Sequence, residues 1–331
     1  MRRLRILLLG IMALTLITAV GSARAQDDNP AEDFAVWLEA LRAEALGIGI
    51  SAATLDGALA GVEPIPRVIE LDRSQPESTL TFKQYMERVV PNSRVQKGRK
   101  KLKENATALE AVREVFGVQP RFIVALWGIE TNFGQYTGGF SVIASLATLA
   151  HDGRRSAYFR AELLNALQIL EEGHITPDAM MGSWAGAMGQ SQFMPSSFVR
   201  FAIDFDGDGR RDIWTTKADV FGSAANYLSK SGWKGDQTWG RKVLLPDGFD
   251  TALAGLKISK PLADWQALGV RRANGRNLPV VAGMAGSIVF PGGDGGPAFL
   301  VYDNFKTTLK WNRSTYFAMA VGHLADRIAG Q

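Results

Sequence analysis

Residues 121–134, RFIVALWGIETNFG, constrain the fold more than any other stretch of the chain. The run follows Pro120 and ends in a glycine, which frames a helix of about three turns. Ile123, Leu126, Trp127 and Glu130 share one face, at offsets of three, four and seven from the first. Phe122, Ala125 and Ile129 make the other side apolar as well. A helix apolar nearly all round is a buried helix, so the rest of the chain must build a shell around it. A carboxylate carried into such an interior is expensive unless it is paired, protonated or used. Desolvation and the negative end of the helix dipole both raise a carboxyl pKa. Glu130 therefore reads as a general acid kept protonated near neutral pH, or as a buried carboxyl that hydrogen-bonds a neighbouring loop. The spacing permits both.

The 331 residues are enough for a large core, and helical signals supply the shell. NPAEDFAVWLEALRAEAL opens with Asn29 as cap, Pro30 at the first helical position and Glu32 behind them, and carries Phe34, Trp37, Leu38, Leu41 and Ala45 on one stripe. LTFKQYMERVV predicts a second helix, stopped by Pro91. Asn92 is placed to cap a third, with Val95, Leu102, Leu109, Val112 and Phe116 on a near-heptad seam as far as Gly117 and Pro120. From about residue 236 the helical period is lost. Gly and Pro become frequent, and the β-rich runs RKVLL (241–245), GSIVF (286–290) and AFLVY (298–302) appear. STYFAMAVGHLADRI (314–328) is helical again, capped by Ser314 or Thr315. The expected class is α+β: a helical body over 26–235, a small β-containing insert over 236–305, and a last helix over 306–331 packing back on the body.

Residues 1–25 stand apart. MRRLR is a basic start, ILLLGIMALTLITAV an apolar run and ARA a small-x-small cleavage site, so the stretch reads as an export signal rather than a retained anchor. Arg2, Arg3, Arg5 and Arg24 lie within it and no acid does, so 37 − 4 = 33 basic residues remain against 33 acidic ones. The net charge of +4 thus belongs to the leader and gives no support for nucleic-acid binding. One basic run remains, RVQKGRKKLK (94–103), a solvated helix face or a surface for an anionic polymer. With no cysteine there are no disulfides, no zinc thiolates and no thiol for lipid attachment. A soluble periplasmic protein without a stable membrane anchor is expected.

Other chemistries are excluded or demoted. His151, His174 and His323 belong to no metal-binding pair, and neither nucleotide-binding glycine motif occurs. GQSQF (189–193) lacks the second glycine of a nucleophile elbow and has no strand before it. GSWAGAMGQSQFMPSSF (182–198) is more informative. Gly186 and Gly189 permit close backbone approach, Trp184 and Phe193 offer flat faces, and Gln192 offers an amide. Aromatic faces beside amides suit sugar rings, and the same glycines suit a tight helix contact.

ALWGIETNFG, AGAMGQSQFMPSSF, DFDGDGRRDIW and NRSTYFAMAVGHL, in this order, resemble the lytic murein transglycosylases of the membrane-bound B type, from about residue 31 to the C-terminus. The resemblance implies a lysozyme-like, predominantly helical fold acting on peptidoglycan glycan strands, with other cell-wall enzymes as expected partners. It implies that Glu130 is the single acid/base. Glu130 would protonate the glycosidic oxygen between N-acetylmuramic acid and N-acetylglucosamine, then take the proton of the muramic C6 hydroxyl as that oxygen attacks C1. The product would be a 1,6-anhydro end. Ordinary glycosidases need a second carboxylate, whereas here the substrate supplies its own positioned nucleophile. The resemblance places sugar-binding residues at Arg154, Arg155, Ser183, Gln192, Tyr227 and Asn312, and Phe193 and Trp311 add flat faces to them. The family often has tyrosine where this chain has Trp311 and Phe317; the indole can still stack on a sugar, while Phe317 lacks a hydroxyl. A water-using muramidase would need a further carboxylate, for which Asp152 and Asp178 are available without a supporting motif. A glycan-binding scaffold without turnover would have no use for a buried acid.

DFDGDGRRD (204–212) matches the first half of a calcium loop. Asp204, Asp206 and Asp208 fall at positions one, three and five, Gly209 at six and the Arg210 carbonyl at seven. Position twelve is Thr215, and by resemblance to the family's extended loop Asp219 closes the set. A structural Ca²⁺ is expected, with an Asx-rich turn as the alternative.

Overall fold

The buried helix forms and is enclosed as expected. In a computed structural model that describes residues 33–74 and 80–330, it runs Pro120–Thr131 with the proline in its first turn. Every residue from Phe122 to Gly128 is buried. The helix ends where Asn132 and Phe133 turn into the left-handed region, at φ 51° and 64°, ahead of Gly134. Helices Asn92–Glu104, Ala106–Phe116, Lys217–Lys230 and Thr315–Ala329 pack around it. Phe122 meets Trp233 edge-on with centroids 4.8 Å apart, and Trp127 meets Phe221 at 5.1 Å. Each fully buried large apolar side chain contributes about 1.5–3 kcal/mol of transfer free energy, so this shell is the main reason the helix can be apolar on all sides.

A second apolar cluster joins the N-terminal helix Phe34–Gly47, through Trp37, Leu41 and Ala45, to helices Val142–His151 and Ser156–Glu171. The proposed cap Asn29, with Pro30, Glu32 and the whole export signal, lies outside the described residues. From Phe34 onward the chain forms one compact unit. None of its described helices is long and apolar enough to cross a membrane.

The third predicted helix is two. Asn105 breaks it, with φ −117° and ψ 19°, and its side-chain Nδ2 donates to the Lys101 carbonyl at 2.8 Å. A short amide competes in this way for the backbone groups a continuing helix would use. The break lets Leu109 and Val112 reach the core while Leu102 stays at its edge. Asn92 is the first residue of its helix rather than its cap, which is Pro91; its Oδ1 accepts from Arg327 instead. The basic run is largely occupied with helix ends: Arg94 donates to the Val89 carbonyl, Lys97 to that of Asn132 at 3.0 Å and Arg99 to that of Arg327. Cations at the carbonyl ends of helices are favourable there.

A five-stranded antiparallel sheet is ordered 260–261, 285–289, 298–301, 240–244, 271–272. Its side chains alternate between two environments. Val243, Ile288 and Leu300 pack on Trp265 and Leu262, while Val289, Phe299 and Val301 belong to the helical core. The expected α+β, lysozyme-like class is the one observed. Within the expected helical body, Ala52–Leu59, Pro66–Arg73, Val142–His151, Ser156–Glu171, Pro195–Phe201 and Lys217–Lys230 were not read individually, and beyond it two more helices escape the sequence reading, Leu262–Ala267 and Asp303–Trp311. The second leaves the sheet directly after Val301 and ends beside Glu130. The last helix, Thr315–Ala329, is capped by Ser314, whose Oγ accepts from the Phe317 amide at 3.3 Å.

Candidate active site

Glu130 sits in the last turn of the buried helix, half-buried, with Trp311 brought against it from 181 residues away. The Trp311 indole Nε1–H donates to Glu130 Oε1 at 2.7 Å. Burial pushes the carboxyl up to about 7, and the indole hydrogen bond works against that rise. The helix end contributes less than its position suggests, because Lys97 donates to the Asn132 carbonyl just beyond it. Desolvation is the main cause.

Glu130 lines a cavity of about 10 Å³, room for at most a water, together with Leu126, Trp127, Gln190, Phe221 and Trp311 among others. It is the one carboxylate of that lining among the described residues. Asp152 pairs with Arg73 at 2.7 Å and Asp178 belongs to a short 3₁₀ turn; neither lines the cavity.

Aromatic rings form a wall at this place. Trp311 lies 4.8 Å from Tyr227 and 5.2 Å from Phe193, centroid to centroid, and Phe201 backs Tyr227 at 4.5 Å. The Tyr227 hydroxyl donates to the Lys310 carbonyl at 2.6 Å, which ties the wall to the end of the helix bearing Trp311. The glycine-rich segment 182–193 folds back on itself through bridges of Met188 to Gly182 and to Phe193. Gly189 has φ 64°, and a Cβ there would meet the Ile213 carbonyl oxygen at 2.6 Å, so both its conformation and its closeness require glycine. Gln192, itself at φ 49°, donates its amide to the carbonyls of Thr137 at 3.0 Å and Gly189 at 3.1 Å. The Ser183 hydroxyl accepts from the Ala187 amide at 3.0 Å.

The structure thus gathers Phe193, Tyr227 and Trp311 at Glu130. Asn312, exposed, follows Trp311 and accepts from the Ser314 amide at 3.0 Å. Arg154 and Arg155 take a different position: both engage Asp72, a carboxylate only 1% exposed, while their own side chains stay about half exposed. Phe317 is part of the core, at 5% exposure, and its neighbour Tyr316 lies 5.4 Å from Tyr85.

Two residues near Glu130 were not singled out in the sequence. Burial raises the Tyr85 hydroxyl pKa, the Glu130 charge adds to the rise and Arg94 opposes it. Gln190 is a clasp. Its Oε1 accepts from Trp127 Nε1 at 2.8 Å, its Nε2 donates to the Trp214 carbonyl at 2.7 Å, and its own carbonyl accepts from the Thr131 hydroxyl at 3.0 Å. The pair of amides in GQSQF was the available signal, and only Gln192 was taken from it.

In the acidic loop, carboxylate oxygens of Asp204, Asp206 and Asp219 converge within 4.8 Å. Asp204 accepts from the amides of Gly207, Asp208 and Gly209, which hold its pKa down. Asp219, fully buried, accepts from the amides of Phe205 and Asp212, both at 2.7 Å; burial and the nearby Asp206 push it up. Asp208 is outside that cluster and accepts from the Arg210 amide at 2.8 Å.

An acid kept near neutrality beside an aromatic wall, on a helical body with a small antiparallel sheet, defines a lysozyme-like protein. More narrowly, the chain belongs to the Transglycosylase SLT domain family, which matches residues 33–326. It is 35% identical over 258 residues to the membrane-bound lytic murein transglycosylase B of Escherichia coli strain K12, covering 74% of this chain and 66% of that relative. Among solved structures it resembles SltB3 from Pseudomonas aeruginosa in complex with NAG-anhNAM-pentapeptide, with a TM-score of 0.87 and 47% identity over 90% of this chain and 80% of that one. It also resembles the Escherichia coli lytic transglycosylase SLT35 in complex with calcium, with a TM-score of 0.75 and 28% identity over 91% and 93%.

Proposed function

We propose that this chain is a lytic transglycosylase that cleaves the β-1,4 bond between N-acetylmuramic acid and N-acetylglucosamine in peptidoglycan, with Glu130 as its acid and base. The observation that carries the reading is the state of Glu130: burial raises its pKa to about 7, the Trp311 hydrogen bond opposes the rise, and no other carboxylate is among the causes of the shift. At neutral pH such a group is present in both protonation states, as successive donation and acceptance require. Glu130 gives its proton to the glycosidic oxygen as the bond from that oxygen to muramic C1 breaks. The C6 oxygen then bonds to C1 and its proton passes to Glu130, which restores the acid. No water is consumed, so no second carboxylate is needed to activate one. Relatives carrying this family name, one of them bound to an anhydro-muropeptide, support the same reading.

Tyr227 and Trp311 offer ring faces to the sugars, with Ser183, Gln192 and Asn312 as polar edges; Phe193, expected to add a flat face, is only 3% exposed and instead packs behind these two rings. Arg154 and Arg155, held by Asp72 yet half exposed, supply cations for lactyl or peptide carboxylates. Three converging carboxylates are a hard-oxygen set suited to calcium. Asp204, Asp206 and Asp219 would hold it, with Asp208 and the Arg210 carbonyl completing the loop, and its contribution is structural. The protein is assigned to the periplasm, reached through an export signal at 1–25 and shared with other cell-wall enzymes. For the described residues the proposed division is a body to 235, a β-containing insert from 236 and a returning C-terminal part that begins before the helix Asp303–Trp311, which the expected boundary at 305/306 would cut.

The test is digestion of purified peptidoglycan by the protein and by Glu130→Gln, read by mass spectrometry. Disaccharide-peptides lighter by one water than hydrolytic products, absent with the variant, are expected. Reducing-end products would make the protein a hydrolase, and intact but bound glycan would make it a scaffold.

A further inference from the structure

The hydrogen bond between Trp311 and Glu130 carries more than proximity. An indole N–H is a donor and has no lone pair to offer in return. Glu130 Oε1, at 2.7 Å from Nε1, is therefore an acceptor in both protonation states of the carboxyl. When the group is neutral, its hydroxyl has to be the other oxygen. Oε2 makes no hydrogen bond to the described residues and is not among the side-chain oxygens sealed from solvent without a partner. A phenol or a hydroxyl in the place of Trp311 could turn and accept the carboxyl proton; an indole cannot.

We infer that Trp311 is a positioning residue that fixes the transferable proton of Glu130 on Oε2 by occupying Oε1 with its N–H. The indole is held in that orientation independently of Glu130. Tyr227 and Phe193 pack on it at 4.8 and 5.2 Å, and the Tyr227 hydroxyl fastens the preceding residue through the Lys310 carbonyl. Trp311 is also the last residue of its helix, after which Asn312 is extended. The donor bonds more strongly to the carboxylate than to the acid. It therefore also stabilises the anion that Glu130 becomes once the glycosidic oxygen has taken the proton.

The inference rests on Glu130 acting as the acid, and the experiment separates the two. Trp311 is replaced by β-(3-benzothienyl)alanine, which has the shape of tryptophan with sulfur in place of N–H, and in parallel by Trp311→Phe. A 4-fluorotryptophan protein, which retains the N–H, is the control. Glu130 is titrated by carboxyl ¹³C NMR, and kcat and KM are measured against pH on soluble glycan strands. Loss of the N–H is expected to move the Glu130 titration and the basic limb of kcat/KM upward by about one pH unit, tenfold in the ionisation constant. It should lower kcat about tenfold with KM little changed, while the Glu130 titration of the fluorinated protein, which keeps the N–H, is not raised. A titration that does not move without the N–H, or that moves equally in the fluorinated protein, would overturn the inference. If Trp311→Phe does not fold, the isosteric analogue decides. If Glu130→Gln retains activity the acid/base reading fails, and the NMR titration still reports on Trp311.

Discussion

Glu130 and Asp204 are both carboxylates, and their surroundings send them in opposite directions. Glu130 has one hydrogen-bond donor and an apolar setting, so burial prevails and its pKa rises to about 7. Asp204 receives three backbone amides in an exposed loop, and its pKa falls. Donor number against desolvation decides whether a carboxyl keeps its proton for delivery or remains a permanent anion. Asp219 lies between: two amides bind it, yet complete burial and the neighbouring Asp206 raise it. A cation beside Asp206 and Asp219 would reverse that rise.

The largest effect should come from removing the proton itself. Glu130→Gln is expected to lower the rate of peptidoglycan cleavage at least ~10³-fold, since acid and base are lost together, with near-normal glycan binding in a pull-down assay. Next comes the clasp that seats the Glu130 helix on the glycine-rich segment. Gln190→Ala leaves the Trp127 N–H and the Trp214 carbonyl without partners, and unpaired buried groups cost about 1–3 kcal/mol each. Urea denaturation should show a loss of about 2–4 kcal/mol, and an unchanged midpoint would mean that the clasp is solvated or replaceable.

Chelation should act on the loop alone. If calcium binds at Asp204, Asp206 and Asp219, saturation at a hundred times Kd adds about 2.7 kcal/mol. EDTA should then lower the Tm of the parent but not that of Asp219→Asn, and equal shifts in both would place the ion elsewhere.

A further effect concerns stability against pH. The folded pKa of Glu130, about 7, lies above the roughly 4.3 of an unfolded glutamate. The folded state therefore favours the proton. This contribution is complete below the unfolded pKa and is lost as pH rises through about 7. Glu130→Gln does not ionise, so its Tm relative to the parent should climb between pH 4 and 8 and level off above that. A difference independent of pH would show that burial does not raise the carboxyl.

How legible these regions were depends on the range of the interactions. The Pro120–Thr131 helix, the Ser314 cap and the three longer strands rest on periodicity, caps and short β-rich runs, all read within a dozen residues. The break at Asn105 was missed because the heptad seam continues across it, while a side-chain bond to Lys101 ends the first helix. Helix Leu262–Ala267 is too short to show a period. Asp303–Trp311 follows a strand without a turn signal, which concealed both the helix and the reason Trp311 reaches the site. Tyr85 carries no local mark, and the paired amides of GQSQF do not show locally that Gln190 is the clasp, since its partners Trp127 and Trp214 lie far along the chain.

The sequence by itself determined that a helix apolar on every side must be buried and that its carboxyl must be accounted for, because hydrophobicity and spacing are local properties. It also determined the loop geometry that places acids at alternate positions, since turn chemistry spans only a few residues. The tertiary structure alone decided which donor meets Glu130, which rings wall it and which second carboxylates stay away. These depend on residues up to 181 positions apart meeting within hydrogen-bond distance, which only the packing of helices on one another can arrange.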